Sequence, residues 1–186
     1  MKLFSTALRL LLFFTVLCGL IYPAVMTLAS QFLFSDKANG SLIYKNGQLI
    51  GSELIGQSFE KAENFWGRPS AVGYNPQPSG GSNLGQVSAD LKKTVDERRQ
   101  KLIQAHGSEV QPPQDLLYAS ASGLDPHISP EAALYQVHRV AQARHRDEAS
   151  IRQLVETMTE PPQWHLFGKP RVNVVLLNMA LDNMKE

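Results

Sequence analysis

Beyond one apolar stretch near its N-terminus, this 186-residue chain has no cysteine; its single cysteine, Cys18, lies inside that stretch. The remainder can form neither disulfides nor thiolate zinc sites, and it would tolerate an oxidising compartment. A charge excess is also lacking. The formal net charge is +1, and no basic stripe interleaves with aromatics, which argues against a nucleic-acid partner. The five histidines form neither an i, i+4 pair nor a His-Glu-x-x-His helix, so they do not suggest a metal centre. No Gly-x-Ser-x-Gly elbow is present to expose a nucleophile. Internal repeats and low-complexity tails are missing too. These absences leave a chain of one ordinary domain, or a smaller domain with an appendage.

What the sequence does contain is a long greasy run. Between Arg9 and Asp36, "LLLFFTVLCGLIYPAVMTLASQFLFS" carries no charged side chain. As a helix it would reach roughly 35–40 Å, enough to cross a hydrocarbon core of about 30 Å. A cleavable signal is the competing reading, since "TLAS" at residues 27 to 30 resembles a cleavage region. Its apolar segment would normally stop after roughly 7–15 residues, so a retained anchor is favoured. Lys2, Arg9 and the terminal amine precede the run, which favours a cytoplasmic N-terminus and an exported C-terminal domain. The expected organisation is residues 1–9 cytoplasmic, 10–34 transmembrane and 35–186 a single α+β domain. Pro23 either kinks the helix and frees a carbonyl that a neighbouring helix could satisfy or, the commoner reading, is simply a tolerated membrane proline.

Past the span, Asn46-Gly47 between two apolar patches predicts a two-residue β-hairpin. Ser88 is placed to cap a helix with Leu91, Val95 and Leu102 on one face and a stop near His106-Gly107. Ser129-Pro130-Glu131 starts a second helix through Arg144, with Leu134, Val137 and Val140 or Ala141 inward. Asp147 caps a third, with Ile151, Leu154, Val155 and Met158 inward and Pro161-Pro162 ending it. A short strand is expected over 116–119 and a central strand over "RVNVVLLN", residues 171 to 178.

The densest loop signal is "YNPQPSGGSNLGQ", residues 74 to 86. Without Lys-Ser/Thr after Gly81 it is not a Walker A loop, although Ser79-Gly80-Gly81 could present N–H groups to an anion. The commoner reading is a shaped surface for a protein, with Asn75, Ser82 and Asn83 fixing the loop and Tyr74 left as a contact. Ser120 and Ser122 near Asp125 and His127 evoke a hydrolase set, but their spacing is local. Gln136, Arg139 and Arg144 either bind phosphate or solvate the outer face of their helix. "SDKANGS", residues 35 to 41, departs at its third position from the phosphorylation sequence of P-type pumps and reads as a turn leaving the bilayer.

Three stretches, "GSELIGQSFEKAENFWGRPSAVGYNPQPSGGSNLG", "ASASGLDPHISPEAALYQVHRVAQAR" and "FGKPRVNVVLLNMALD", closely resemble the C chain of the bacterial high-affinity potassium-transporting ATPase, the Kdp complex. The likeness runs from the anchor to the last ten residues and is weakest over 106–114 and 145–168. The resemblance implies a non-catalytic, inner-membrane subunit needed for potassium import. It also implies three partners: a potassium channel-like chain, a P-type ATPase chain and a small single-span chain. In this family the C chain is held to be a catalytic chaperone that raises the ATP affinity of the ATPase chain. No tightly bound cofactor is implied, and ATP would act through the complex.

An exported domain cannot touch cytoplasmic ATP, so such an effect would have to travel as a coupling free energy. The expectation is docking on the periplasmic or extracellular face of the channel-like chain through the 74–85 and 120–127 loops, using Tyr74, Asn75, Gly80, Gly81, Ser82, Asn83 and Asp125. Two alternatives stand beside it. One is a direct nucleotide site at Ser79, Gln136 and Arg139; the other is an anchored hydrolase using Ser120, Asp125 and His127.

Overall fold

From Leu10 to Phe34 nothing charged interrupts the chain, and in the computed structural model the helix runs unbroken from Lys2 to Leu33. Residues 2–107 and 110–184 are described. They fall into two units, Met1–Ser52 and Glu53–Glu186. In the first, α1 (Lys2–Val16) passes through a π-helical turn, Leu17–Ile21, into α2 (Tyr22–Leu33). In its first turns the Ser5 and Thr6 hydroxyls donate to the Lys2 carbonyl. Its 32 residues would span about 48 Å, more than a bilayer core requires. No residue of it is buried within the chain. Phe34 breaks the helix, the single turn α3 (Ser35–Ala38) follows, and β1 (Leu42–Lys45) pairs antiparallel with β2 (Gln48–Ser52). Asn46 and Gly47 both take positive φ, 53° and 77°, the type I′ turn their sequence predicts.

The second unit combines four longer helices, one helical turn and a small sheet. The elements are α4 (Ala89–His106), α5 (Gln114–Leu117), β3 (His127–Ile128), α6 (Pro130–Arg144), α7 (Glu148–Thr157), β4 (Thr159–Glu160), β5 (Arg171–Asn173) and α8 (Val174–Asp182). The sheet is antiparallel in the order β3-β5-β4. Caps fall where the sequence puts them. Ser88, Ser129 and Asp147 accept from the N–H three residues on, and Gly107 closes α4 in the left-handed region. The core gathers Phe65, Val137, Val140, Ile151, Val155, Val172, Leu177 and Leu181.

Two expected strands are corrected. Residues 116–119 contain no strand; Leu116 and Leu117 belong to α5 and bury themselves as one helical turn. Of "RVNVVLLN" only Arg171–Asn173 is strand, though it is the central one. There the Asn173 side chain accepts from the Val175 and Leu176 N–H groups at 3.0 and 3.2 Å. That cap turns the remaining β-branched run into α8, which buries Val174, Val175, Leu177, Asn178 and Leu181.

Residues 53–88 contain no helix or strand, so their buried backbone groups must find partners elsewhere. Two core amides supply them. Asn178 Oδ1 accepts from Phe65 N–H at 2.8 Å and its Nδ2 donates to Phe65 O at 2.9 Å. Gln136 does the same for Trp66, at 2.7 and 3.0 Å. Both side chains therefore act as lengths of sheet edge for an irregular segment. Asn178→Leu should leave a donor and an acceptor of fully buried Phe65 unpaired. At ~1–3 kcal/mol per orphaned group the expected loss is about 2–4 kcal/mol, readable as a lower urea midpoint.

Candidate functional site

The two loops singled out in the sequence meet. Ser120 N–H donates to Pro69 O at 3.0 Å, and Gly56 N–H donates to Leu124 O at 2.8 Å. Glycine makes the approach possible. A Cβ on Gly81 would lie 3.0 Å from Ala121 O, and one on Gly123 would lie 2.5 Å from Val72 Cγ2 and 2.7 Å from Gly80 O. Gly123 also holds φ at +71°, a region L side chains disfavour. The 69–81 and 120–125 segments thus form one interlocked surface.

Polar side chains knot that surface from within. Ser70 Oγ accepts from Val72 N–H at 3.2 Å and Tyr74 N–H at 2.8 Å. Tyr74 is part-buried and its hydroxyl donates to Arg68 O at 2.6 Å. Burial first, and the Asp125 charge second, push its phenol pKa up. Asp125 accepts from Arg68 at 3.2 Å through Oδ2 and from His127 N–H at 3.0 Å through Oδ1. Burial alone would raise its pKa, but the His127 and Arg68 hydrogen bonds outweigh it and hold the carboxyl below its usual range. Tyr74 and Asp125 therefore serve the loop's shape. Asn75 Oδ1 accepts from Gln77 N–H at 3.0 Å, as predicted. Ser82 and Asn83 have no side-chain hydrogen bond among the described residues; both are exposed, as are Asn75 and Ser79, while Gly80 and Gly81 are half-buried.

The nucleotide trio does not assemble. Ser79 lies on the exposed loop, whereas Gln136 and Arg139 are 0% and 5% exposed. The view of them as outer-face residues is likewise corrected. Gln136 Nε2 donates to Trp66 O and Ala132 O, and its Oε1 accepts from Trp66 N–H and Arg139. Arg139 donates to Ala62 O, Asn64 O, Gln136 Oε1 and His106 Nε2, and lies 4.3 Å from the centre of the Trp66 ring. Burial lowers its pKa to about 10. Their polar capacity goes into the core. The hydrolase set fails similarly: Ser120 is 3% exposed, and no hydrogen bond joins it to Asp125 or His127 among the described residues.

Two features escaped sequence reasoning. A cavity of about 300 Å³ is lined by Phe59, Trp66, Tyr74, Arg98, Lys101 and Leu102, among others. Lys101 Nζ stands 5.5 Å from the centre of the Trp66 ring. Arg98 and Lys101 are one helical turn apart on α4, but their convergence on residues 59–74 has no local signal. The second is the turn between β4 and β5, where Trp164, Leu166 and Phe167 are 78%, 75% and 57% exposed. A Gln163–Phe167 bridge and positive φ at Trp164 and His165 shape it.

The architecture defines a class: a single-span candidate membrane protein carrying an α+β domain, whose most elaborate feature is a locked pair of loops. Comparison with known proteins gives the family. The chain matches the family described as KdpC, the K+-transporting ATPase c chain, over residues 4–183. It is 50% identical over 182 residues to a potassium-transporting ATPase KdpC subunit of Geobacter metallireducens, covering 96% of each chain. A KdpC subunit of Polynucleobacter asymbioticus is 47% identical, with 97% of this chain and 98% of the relative covered. One from Geobacter sulfurreducens is 49% identical over 99% of both. The chain belongs to the KdpC family, subunits of the potassium-transporting ATPase.

Proposed function

We infer that this chain is a non-catalytic subunit of the pump, anchored in the inner membrane with its domain outside the cytoplasm. The domain docks on the outer face of the channel-like chain, through Asn75, Ser82 and Asn83 of the interlocked loops. A P-type ATPase chain and a small single-span chain complete the complex. Any rise in the ATP affinity of the ATPase chain is transmitted through the assembly as a coupling free energy. The observation that carries this reading is the locking of Gly81 against Ala121 and of Gly123 against Val72 and Gly80. A surface held in its bound shape loses less entropy on docking, and loops of this kind carry function on rigid scaffolds.

Ser82→Arg tests it. The side chain is exposed, so the melting temperature should not move, while recovery of partner chains and potassium-stimulated ATP hydrolysis by the assembled pump should fall at least about tenfold, the ~1.4 kcal/mol that one desolvated charge readily exceeds. Unchanged recovery would sink the docking surface. Placing a cysteine at Ser82 in a Cys18→Ala background, then labelling intact cells with an impermeant maleimide, tests the side. Labelling only after lysis would put the domain in the cytosol.

The second reading is direct nucleotide binding. It finds support in the cavity bearing Trp66, Arg98 and Lys101, not in Ser79, Gln136 and Arg139. Isothermal titration of the full chain with ATP decides it: stoichiometric heat that disappears in Lys101→Ala favours this reading.

A further inference from the structure

The hairpin that follows the membrane-spanning helix has an apolar outer face. Leu42, Tyr44, Leu49 and Ile50 are 44%, 60%, 56% and 40% exposed. Tyr44 stands opposite Leu49 across the strands, and Leu42 shares the Tyr44 face by strand alternation. The register shifts between Ile43 and Tyr44, which leaves Ile50 as the extra residue of a bulge. Lys45 and Gln48 pair with each other on the opposite face. The hairpin is therefore amphipathic. Its sheet has two strands only, and a two-stranded hairpin is marginal in water on its own.

Hydrogen bonds hold this hairpin close to the end of the span. Gln31, in the last turn of α2, exchanges side-chain hydrogen bonds with Asn39 at 3.3 and 3.4 Å. Asn39 Nδ2 also donates to Ser35 O at 2.8 Å, and Ser41 N–H donates to Asp36 O at 2.9 Å. Ser52 Oγ donates to Gly40 O at 2.6 Å, tying the open end of the hairpin to the same turn. The uncharged stretch from Leu10 to Phe34 rises about 36 Å, against a hydrocarbon core of about 30 Å. With Arg9 at one edge of that core, Phe34 lies about 6 Å beyond the other, at headgroup depth. Tyrosine is enriched at that depth because its ring is apolar and its hydroxyl polar.

We propose that the Leu42, Tyr44, Leu49 and Ile50 face of the β1–β2 hairpin lies on the bilayer, its apolar side chains among the upper acyl carbons and the Tyr44 hydroxyl among phospholipid headgroups. The occupant is the lipid surface itself, continuous with the lipid around the span. This seat fastens Ser52, the last residue of the first unit, to the membrane plane. The proposal rests on the reading of Lys2–Leu33 as a membrane span. It is independent of the loop docking above and of which side of the membrane the α+β domain occupies.

The test uses the full chain in the assembled pump, in nanodiscs of phosphatidylethanolamine and phosphatidylglycerol. Tyr44→Cys, Leu49→Cys, Gln48→Cys and Leu28→Cys, each in a Cys18→Ala background, carry a bimane label. Lipids bearing a nitroxide near the headgroup should quench the labels at 44 and 49 at least about threefold more than a water-soluble nitroxide does. Gln48→Cys, on the polar face, should show the reverse. Adding Leu49→Glu to Tyr44→Cys should lift the face from lipid, so that its label then behaves like Gln48→Cys. Lipid quenching unchanged by Leu49→Glu would mean that the tether alone brings the label near lipid, and would overturn the proposal. Labels at 44 and 49 reached by neither quencher would mean that a protein chain covers the face; stronger quenching from water would mean that it is bare. Either result overturns the proposal. Leu28→Cys separates it from the reading beneath it. Quenching there by a nitroxide deep in the acyl chain, with a bare hairpin, keeps the span and removes only the hairpin seat. Quenching there by the soluble nitroxide takes down the span and the proposal together. The melting temperature of the α+β domain should stay constant in every variant.

Discussion

Arg139→Met should destabilise the α+β domain by about 3–5 kcal/mol, the cost of leaving several acceptors of a buried hydrogen-bond network without their donor. The guanidinium has no acidic partner among the described residues. Instead it serves the Ala62 and Asn64 carbonyls, Gln136 Oε1 and His106 Nε2. Removing it strips a donor from four acceptors at once. At ~1–3 kcal/mol per orphaned group the simple sum would exceed the value expected, so some of the 62–66 segment must relax into water. Methionine keeps the packing against Trp66, which makes hydrogen bonding the main thing lost. Arg139→Lys is the sharper variant. It keeps the charge but is a point donor on a flexible stem, unable to span that fan of acceptors, and should recover at most about half the loss. Urea unfolding followed by Trp66 fluorescence checks both. Equal stability of wild type and Arg139→Met would mean that segment 62–66 is held by packing alone.

That network marks the limit of what the sequence exposes. Ser88, Ser129, Asp147, Gly107 and Asn46-Gly47 were legible because each acts on backbone within four residues of itself. Val174 to Asn178 was misjudged because β-branched propensity is a weak prior, and one asparagine, Asn173, with a buried helical face behind it, overrode it. Gln136 and Arg139 resembled solvated residues for a different reason. Their partners are the backbone of residues 62–66, some 70 positions earlier, in a segment with no periodicity to reveal that it packs against this helix. Among the loops, the glycines at 80, 81 and 123 announced a special backbone but not which segment each would touch. The family resemblance supplied what spacing did not: membership of a potassium-transporting ATPase.

Acid should weaken this domain in two separable steps, and His106 governs the first. The ring is 5% exposed. Its Nδ1 lies 2.8 Å from Leu102 O and its Nε2 lies 3.1 Å from Arg139 Nε. Since Arg139 can only donate, Nε2 must accept, and the proton resides on Nδ1. A second proton would face the guanidinium and have no acceptor. Burial, partly offset by the Leu102 hydrogen bond and reinforced by Arg139, lowers the pKa from 6.5 to about 4. Because the unfolded chain binds the proton more readily, stability is intact above pH 6.5 and drains away as pH falls toward 4. Integrated over that window the loss is about 3 kcal/mol. Asp125 acts later. Its folded pKa is depressed, so its contribution is lost only as pH falls below 3.8. His106→Gln should be less stable than wild type at neutral pH, yet nearly flat through the first window, with the second step retained. Unfolding midpoints measured across both windows decide the assignment: if wild type and His106→Gln lose stability in parallel between pH 6.5 and 4, the proton is being taken up somewhere other than His106.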